Sequence, residues 1–297
     1  MFKGSFTALI TPFKGGKVDD KAFERLVEWQ IEEGTHGLVP MGTTGESPTV
    51  SHEEHKHVIE LCIKVAKKRV PVIAGAGSNS TSEAIDFTRH AKKAGADAVL
   101  HVAGYYNKPT QEGLYQHFKA ISDAVDLPIF LYNVPPRTVI DISVATIARC
   151  AKLKNVVGIK DATANVARVT SQRLACGEKF IQLSGEDATA LGFMVHGGRG
   201  CISVTSNVAP RLCAQFQNAC LKGEWNTARE LQDRLMPLHD ALFCETSPGP
   251  VKYAASKLGL CSAETRLPLA PIAEESKRKV DAALASVGLA SLAKAAE

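Results

Sequence analysis

The 297-residue sequence lacks any Cys-x-x-Cys pair. Its eight cysteines are scattered, at positions such as 62, 150, 176, 201 and 213, with no histidine nearby at metal-ligand spacing. That pattern excludes a zinc site or a disulfide framework and fits reduced thiols in a cytosol. No stretch reaches the roughly eighteen consecutive apolar residues that a membrane span needs. Met1-Phe2-Lys3-Gly4-Ser5 leads straight into a strand-like run ending at Pro12, so no signal peptide is expected and the location is read as cytoplasmic. The formal net charge of +4 is small and dispersed, which argues against nucleic acid or a membrane surface as partner. Low-complexity segments and long linkers are also missing.

What the sequence has instead is regular alternation. Short apolar runs recur at Thr7 to Thr11, Gly37 to Met41, Val70 to Ala74, Ala98 to Val102, Ile129 to Tyr132, Val156 to Lys160, Ile181 to Ser184 and Cys201 to Thr205. Between them lie helical patterns, such as Phe23, Leu26, Val27 and Ile31 after the cap Asp20, or Leu114, Phe118, Ile121 and Val125 after Thr110. Continuous apolar strands alternating with amphipathic helices imply a parallel sheet covered on both faces, and eight such units close a barrel. A doubly wound open sheet is the runner-up. Closure is favoured because no Gly-x-Gly-x-x-Gly opens the first unit and polar residues follow several different strands. Beyond about residue 207 the strand signal ends. Leu231, Leu235, Leu238 and Leu242 are spaced for a buried helical stripe, Ser247-Pro248-Gly249-Pro250 interrupts it, and the Ala-rich end from Ala282 reads as a last helix. The expectation is a (β/α)8 TIM barrel over residues 1–224 with a C-terminal helical extension over 225–297.

Reactive groups of such a barrel sit where strands end and the following loops begin. Lys160 ends an apolar strand; by strict alternation Val156, Gly158 and Lys160 share one face, Val157 and Ile159 the other, and Gly158 leaves room beside the amine. A low-dielectric pocket disfavours an ammonium, and a neutral amine attacks carbonyls. Taken alone, the lysine is most simply one that snorkels to solvent at a strand end. Three further loops change the balance. Gly42-Thr43-Thr44-Gly45-Glu46-Ser47 offers two hydroxyls and an amide nest suited to a carboxylate. Tyr105-Tyr106-Asn107-Lys108-Pro109 carries two adjacent phenols. In Tyr132-Asn133-Val134-Pro135-Pro136-Arg137 a phenol ends the strand and a diproline stiffens the path to a guanidinium that can clamp a carboxylate. Each motif alone is most simply a turn, a packed ring or a solvated charge. Together they describe imine chemistry, with no metal and no cofactor required. Asp161, next to Lys160, points to the other face and is read as structural.

As a set these residues resemble the pyruvate-dependent class I aldolase family over nearly the whole chain. The matching stretches are Gly42 to Ser47, Tyr105 to Pro109, Leu131 to Pro135 with Arg137, Gly158-Ile159-Lys160, Ser184-Gly185 and Ile202 to Thr205. The resemblance is strongest to the branch that joins pyruvate to L-aspartate 4-semialdehyde in lysine (diaminopimelate) biosynthesis. It implies that Lys160 forms a Schiff base with pyruvate, Tyr132 shuttles the proton, and Thr43 relays it toward Tyr106 supplied by a neighbouring subunit. It further implies that Thr44 holds the pyruvate carboxylate, Arg137 binds that of the semialdehyde, and backbone near Gly185 and Ile202 lines the pocket. A homo-oligomer, a dimer of dimers in the family, follows from the borrowed tyrosine. Arg137 separates this branch from aldolases of keto sugar acids, including N-acetylneuraminate lyases. Two departures stand out: Gly104 where proline is common, which loosens the loop carrying Tyr106, and Pro136 as a second proline, which stiffens the approach to Arg137.

The family's lysine-inhibited members imply a second, allosteric lysine-binding site at Ser47, Pro48, His52, His55, Asn79, Glu83 and Tyr105. Two readings stand there: a carboxylate with imidazole and amide neighbours suits a free amino acid, while Ser51 to Glu54 and Ser80 to Glu83 each fit a capping box. The rival functions are a keto-sugar-acid aldolase of the same fold and a catalytically silent metabolite-binding barrel. A metal-dependent aldolase is disfavoured because no His/Asp cluster occupies the strand-end loops.

Overall fold

The computed structural model describes residues 1–289. Eight parallel strands form one sheet: β1 (Gly4–Ala8), β4 (Gly37–Val39), β5 (Ile73–Gly75), β6 (Ala98–Val102), β7 (Ile129–Asn133), β8 (Val156–Asp161), β9 (Ile181–Ser184) and β10 (Gly200–Ser203). A two-stranded hairpin, β2 (Phe13–Lys14) and β3 (Lys17–Val18), follows the first strand; its short polar turn gave no periodic signal. Neighbours run β4-β1-β10-β9-β8-β7-β6-β5, and a parallel bridge between Leu38 and Val72 joins the two ends. The chain is therefore a (β/α)8 barrel with added C-terminal helices.

Two apolar clusters explain the closure. Phe6, Val39, Ile73, Leu100, Phe130, Leu183 and Ile202 fill the interior, while Leu38, Val99, Leu131 and Ile159 face outward onto residues such as Phe23, Ile59, Leu114 and Phe118 of the helices. Inward and outward positions alternate along most strands.

Strand limits depart from the periodic reading wherever another acceptor or donor takes the backbone. The first strand is Gly4–Ala8, not Thr7 to Thr11, because the Ile10 N–H donates to the Asn207 side chain at 3.0 Å. The third barrel strand begins at Ile73, not Val70, since Pro71 has no N–H to pair. Gly37–Val39 stops before Pro40 and before Met41, which stands at φ 57°. Gly200–Ser203 ends early because the Asp187 carboxylate takes the N–H groups of Val204 and Thr205 at 2.9 and 3.2 Å.

β8 carries a bulge: Ile129 pairs with Val156 but Phe130 with Gly158. The extra residue turns Val157 inward, so Val156 lies outside with Ile159, and the strict alternation expected over Val156 to Lys160 fails at its first step. Gly158 and Lys160 still share the inner face. The first helix, Asp20–Glu32, is capped by Asp19 and not by Asp20, whereas Thr110 caps Gln111–Ala124.

After the barrel, Trp225–Ala241 buries Leu235 and Leu238, and Leu242 is buried just beyond it. The chain breaks there before Gly249–Lys257. The last described helix is Glu274–Ser286, which begins well before Ala282; the remainder of that expected helix, and of the 225–297 segment, lies outside the described residues beyond 289.

Candidate active site

Lys160 and Tyr132 are cross-strand partners at the C-terminal ends of β8 and β7. The lysine is 6 % exposed, and its Nζ stands 4.4 Å from the centroid of the Tyr132 ring. No ion pair engages Lys160 among the described residues. The room beside the amine comes from a different glycine than expected: a Cβ on Gly158 would strike the Phe130 ring at 2.7 Å and the Ile181 carbonyl oxygen at 2.3 Å, whereas one on Gly185 would meet Lys160 Cε at 3.0 Å.

The loop after β4 is a closed turn. The N–H groups of Gly45 and Ser47 donate to the Gly42 carbonyl, and that of Glu46 to Thr43, at 3.0–3.4 Å. Among the described residues the amides of Gly42, Thr43 and buried Thr44 have no protein acceptor, so the anion-binding capacity of the expected nest narrows to these three. Thr43 and Tyr132 line one cavity of about 30 Å³ together with Ser47, Gly77 and Val102, a volume that holds a single water. Ile202 is buried in the interior cluster. A larger hollow of about 400 Å³ lies in the C-terminal helices around Tyr253, Glu264 and Lys277; it contains none of the strand-end groups, so size does not locate the chemistry.

Tyr106 does not join this cavity. It stands 90 % exposed at φ 65°, on a loop held by Asn107, whose side chain donates to the Asn79 carbonyl at 2.9 Å. At Gly104 a Cβ would sit 2.9 Å from Pro109 Cγ, so the glycine admits a close packing contact within that loop. Pro135-Pro136 begins a one-turn helix, Pro135–Thr138, that sets Arg137 exposed at the mouth with its Nη2 3.4 Å from the Ser247 carbonyl.

Asp161 is structural, as its place in the strand implies. It is 3 % exposed and accepts from Thr163, Gln172 and Arg168. Arg168 also binds Asp141 at 3.0 Å, and Asp141 accepts from Asn133 at 2.7 Å. This chain of contacts clamps the ends of β7 and β8 one residue beyond Tyr132 and Lys160.

Glu186 was missed in the sequence, although it follows Gly185 at the same barrel mouth. Burial pushes its carboxyl up to about 7, opposed by Lys160, reinforced by Asp187, opposed by Arg137 and reinforced by Asp161. A carboxyl held near neutrality at a barrel mouth, where it feels the charges of Lys160 and Arg137, is a candidate proton donor or acceptor.

The second cluster also assembles, around Glu83. His52 Nε2 lies 2.8 Å from Glu83 Oε1, Ser78 donates to Oε2, and Asn79 donates to the Tyr105 carbonyl at 3.2 Å. The capping box forms at Ser51–Glu54 but not at Ser80–Glu83, because Glu83 is turned to Ser78 and His52. His55 is committed elsewhere: buried and stacked on Phe87 at 4.1 Å, it donates Nε2–H to the Gly75 carbonyl at 2.8 Å, and burial lowers its pKa to about 4. No group of three or more metal-ligating side chains occurs among the described residues.

A closed barrel with a sheltered lysine and tyrosine at its strand ends defines an enzyme scaffold suited to Schiff-base chemistry. Sequence comparison is more specific. The model of the dihydrodipicolinate synthetase family matches residues 1–287, and the chain belongs to that family. The chain is 67 % identical over 289 residues to the 4-hydroxy-tetrahydrodipicolinate synthase of Parvibaculum lavamentivorans, covering 97 % of this chain and 99 % of that one. Among solved structures, the chloride-inhibited dihydrodipicolinate synthase of Acinetobacter baumannii complexed with pyruvate superposes with a TM-score of 0.95 at 49 % identity, covering 97 % of this chain and 100 % of that one. The lysine-bound enzyme of Cyanidioschyzon merolae gives 0.94 at 37 % identity, with 97 % and 99 % covered.

Proposed function

We propose that this chain is a 4-hydroxy-tetrahydrodipicolinate synthase, condensing pyruvate with L-aspartate 4-semialdehyde in lysine biosynthesis. The observation that carries the reading is the sheltered Lys160 Nζ, free of any ion pair among the described residues and 4.4 Å from the Tyr132 ring. Lys160 adds to the ketone carbon of pyruvate and water leaves, giving an iminium. The departing hydroxyl takes the Tyr132 phenol proton; the methyl carbon then returns a proton to that oxygen, with Thr43 relaying protons between Tyr132 and Tyr106, and the resulting enamine attacks the aldehyde carbon of the semialdehyde. The new alkoxide takes up a proton, and the substrate's own amine displaces Lys160 from the imine to close the ring. Thr44 holds the pyruvate carboxylate, Arg137 that of the semialdehyde, and Gly185 and Ile202 shape the wall.

Tyr106, 90 % exposed and outside its own chain's cavity, completes the site of a second copy in this reading, so the working unit is a dimer or a pair of dimers; its exposure leaves the ring free for that role. The chain has no helix long and apolar enough to cross a membrane among its described residues, and a cytoplasmic location suits its substrates. Glu83, His52, Asn79 and Tyr105, with Ser47 and Pro48 at the rim, receive lysine as an inhibitor: Glu83 takes an ammonium group and the amide and phenol take the other end.

Reduction with borohydride in the presence of pyruvate tests the assignment. The expected result is a pyruvate-derived mass increase on the peptide containing Lys160; no increase would favour a silent binding barrel. Rates with aspartate semialdehyde and with sugar aldehydes separate the synthase from a keto-sugar-acid aldolase. Lysine titrated against initial rate should inhibit, and Glu83→Gln should raise the half-inhibiting concentration at least about tenfold, the loss of one charge-assisted contact. An unchanged response in the variant would remove Glu83 from the lysine site.

A further inference from the structure

The turn that presents Thr43 and Thr44 is closed from beneath by a charge pair whose other half belongs to the helical extension. Glu46 is 2 % exposed, at φ 58°, and its N–H donates to the Thr43 carbonyl at 3.0 Å. Its Oε1 lies 2.6 Å from Lys252 Nζ, with both side chains fully enclosed, and its Oε2 accepts the Arg266 N–H at 3.0 Å. Lys252 and Arg266 lie over the Phe13 ring, at 4.1 and 4.4 Å from its centroid. Arg266 also grips both oxygens of Glu54 at 2.6 Å and donates to the Thr49 carbonyl at 3.0 Å.

A buried ion pair gains little over well-packed apolar side chains, and a left-handed backbone at a non-glycine residue is disfavoured. Both meet at Glu46. A pair that served only to fasten helix Gly249–Lys257 to the barrel could be apolar and could sit anywhere along the contact. This one sits on the residue whose amide fixes the Thr43 carbonyl, and its two carboxylate oxygens are held by two separate segments of the extension.

We propose that Lys252 is a positioning residue: through Glu46 it fixes the turn that aims Thr43 at Tyr132, so the helical extension sets the geometry of proton transfer. The inference rests on the reading that Thr43 relays the proton. Removing Lys252 alone would strand a buried carboxylate, so the test neutralises both partners together. The double variant Lys252→Met/Glu46→Gln is compared with Thr43→Val and with the triple variant, each assayed for kcat, for KM of pyruvate and for thermal midpoint. The double variant should stay folded with kcat down roughly tenfold or more, a loss typical of a misplaced group, and a rise in KM for pyruvate would report Thr44, which the same turn carries. In the Thr43→Val background the same pair of changes should cost nothing further, because the two act through one group. Multiplicative losses, or a lowered thermal midpoint at full kcat, would overturn the positioning role and leave the relay standing. A Thr43→Val enzyme at the parental rate would remove the relay and this inference with it. Lys252→Arg supplies a second reading should the neutral pair not fold: the guanidinium keeps the charge but shifts the contact, and full kcat in that variant would again overturn the proposal.

Discussion

Gly185 and Lys160 are in contact through an atom that glycine does not have. A Cβ on Gly185 would stand 3.0 Å from the lysine Cε and 2.6 Å from Ala162 Cβ. The backbone cannot retreat, because the Gly185 N–H donates to the Asp161 carbonyl at 2.7 Å. The lysine stem must therefore yield to any side chain here. Ala162 must shift and the lysine stem give by a few tenths of an ångström, so Gly185→Ala is expected to slow both turnover and the borohydride-trapped rate with pyruvate by roughly tenfold, less than the hundredfold of a full ångström's misplacement. Trapping at the parental rate would show that the stem has slack.

Tyr132→Phe separates attack from proton transfer. The ring that covers Lys160 Nζ remains, but the hydroxyl that shares a cavity with Thr43 is lost. The variant should still form the reducible pyruvate adduct, while kcat and exchange of the pyruvate methyl protons with solvent deuterium fall by about 10² to 10⁴, the range for removing a general acid–base. Normal methyl exchange would assign the proton to another group.

The convergence of Lys160, Tyr132 and Thr43 on one end of the barrel was legible from the recurrence of apolar runs, because closure dictates where strand ends meet; their roles rest on the family resemblance and not on periodicity. Register was not legible. The bulge that turns Val157 inward depends on how β7 and β8 pair, which alternation within one strand cannot report. Ser51–Glu54 and Ser80–Glu83 present the same local pattern, yet only the first is a capping box, since Ser78 and His52 compete for Glu83 from outside the helix. Lys252 lies 206 residues from Glu46, and nothing near either residue points to the other. Glu186 satisfies the strand-end rule that points to Gly185, but the burial that raises its carboxyl comes from residues remote in sequence and leaves no local pattern.

Glu186 should shape the pH profile. Its carboxyl is raised from 4.5 to about 7, chiefly by burial, so it changes charge across the neutral range. If it exchanges protons with the reacting aldehyde, kcat should show a step near pH 7 that disappears in Glu186→Gln. A step that persists in the variant would assign the titration elsewhere.

Acid should weaken the fold through its buried histidines, against a smaller opposing gain from Glu186, whose raised carboxyl takes up its proton in the fold before the unfolded chain does. Burial lowers His55 and His117 to about 4 and His101 to about 3, from an ordinary value of 6.5. The cause is clearest at His101. Thr88 donates its hydroxyl hydrogen to the Ala84 carbonyl at 2.6 Å, so it must accept from His101 Nε2 at 3.0 Å, and the bare Nδ1 is buried with no partner. A proton added there would have no acceptor. The unfolded chain binds that proton near pH 6.5 and the folded chain does not. Stability is therefore complete above pH 6.5 and declines as pH falls toward the folded values of 4 and 3, by roughly 2 kcal/mol for His101 between pH 6.5 and 4.5. Thermal midpoints measured across that interval should fall steadily, and His101→Phe should flatten the slope by one histidine's share. An equal slope in the variant would mean that His101 is charged in the fold, and the neutral tautomer deduced from Thr88 would have to be abandoned.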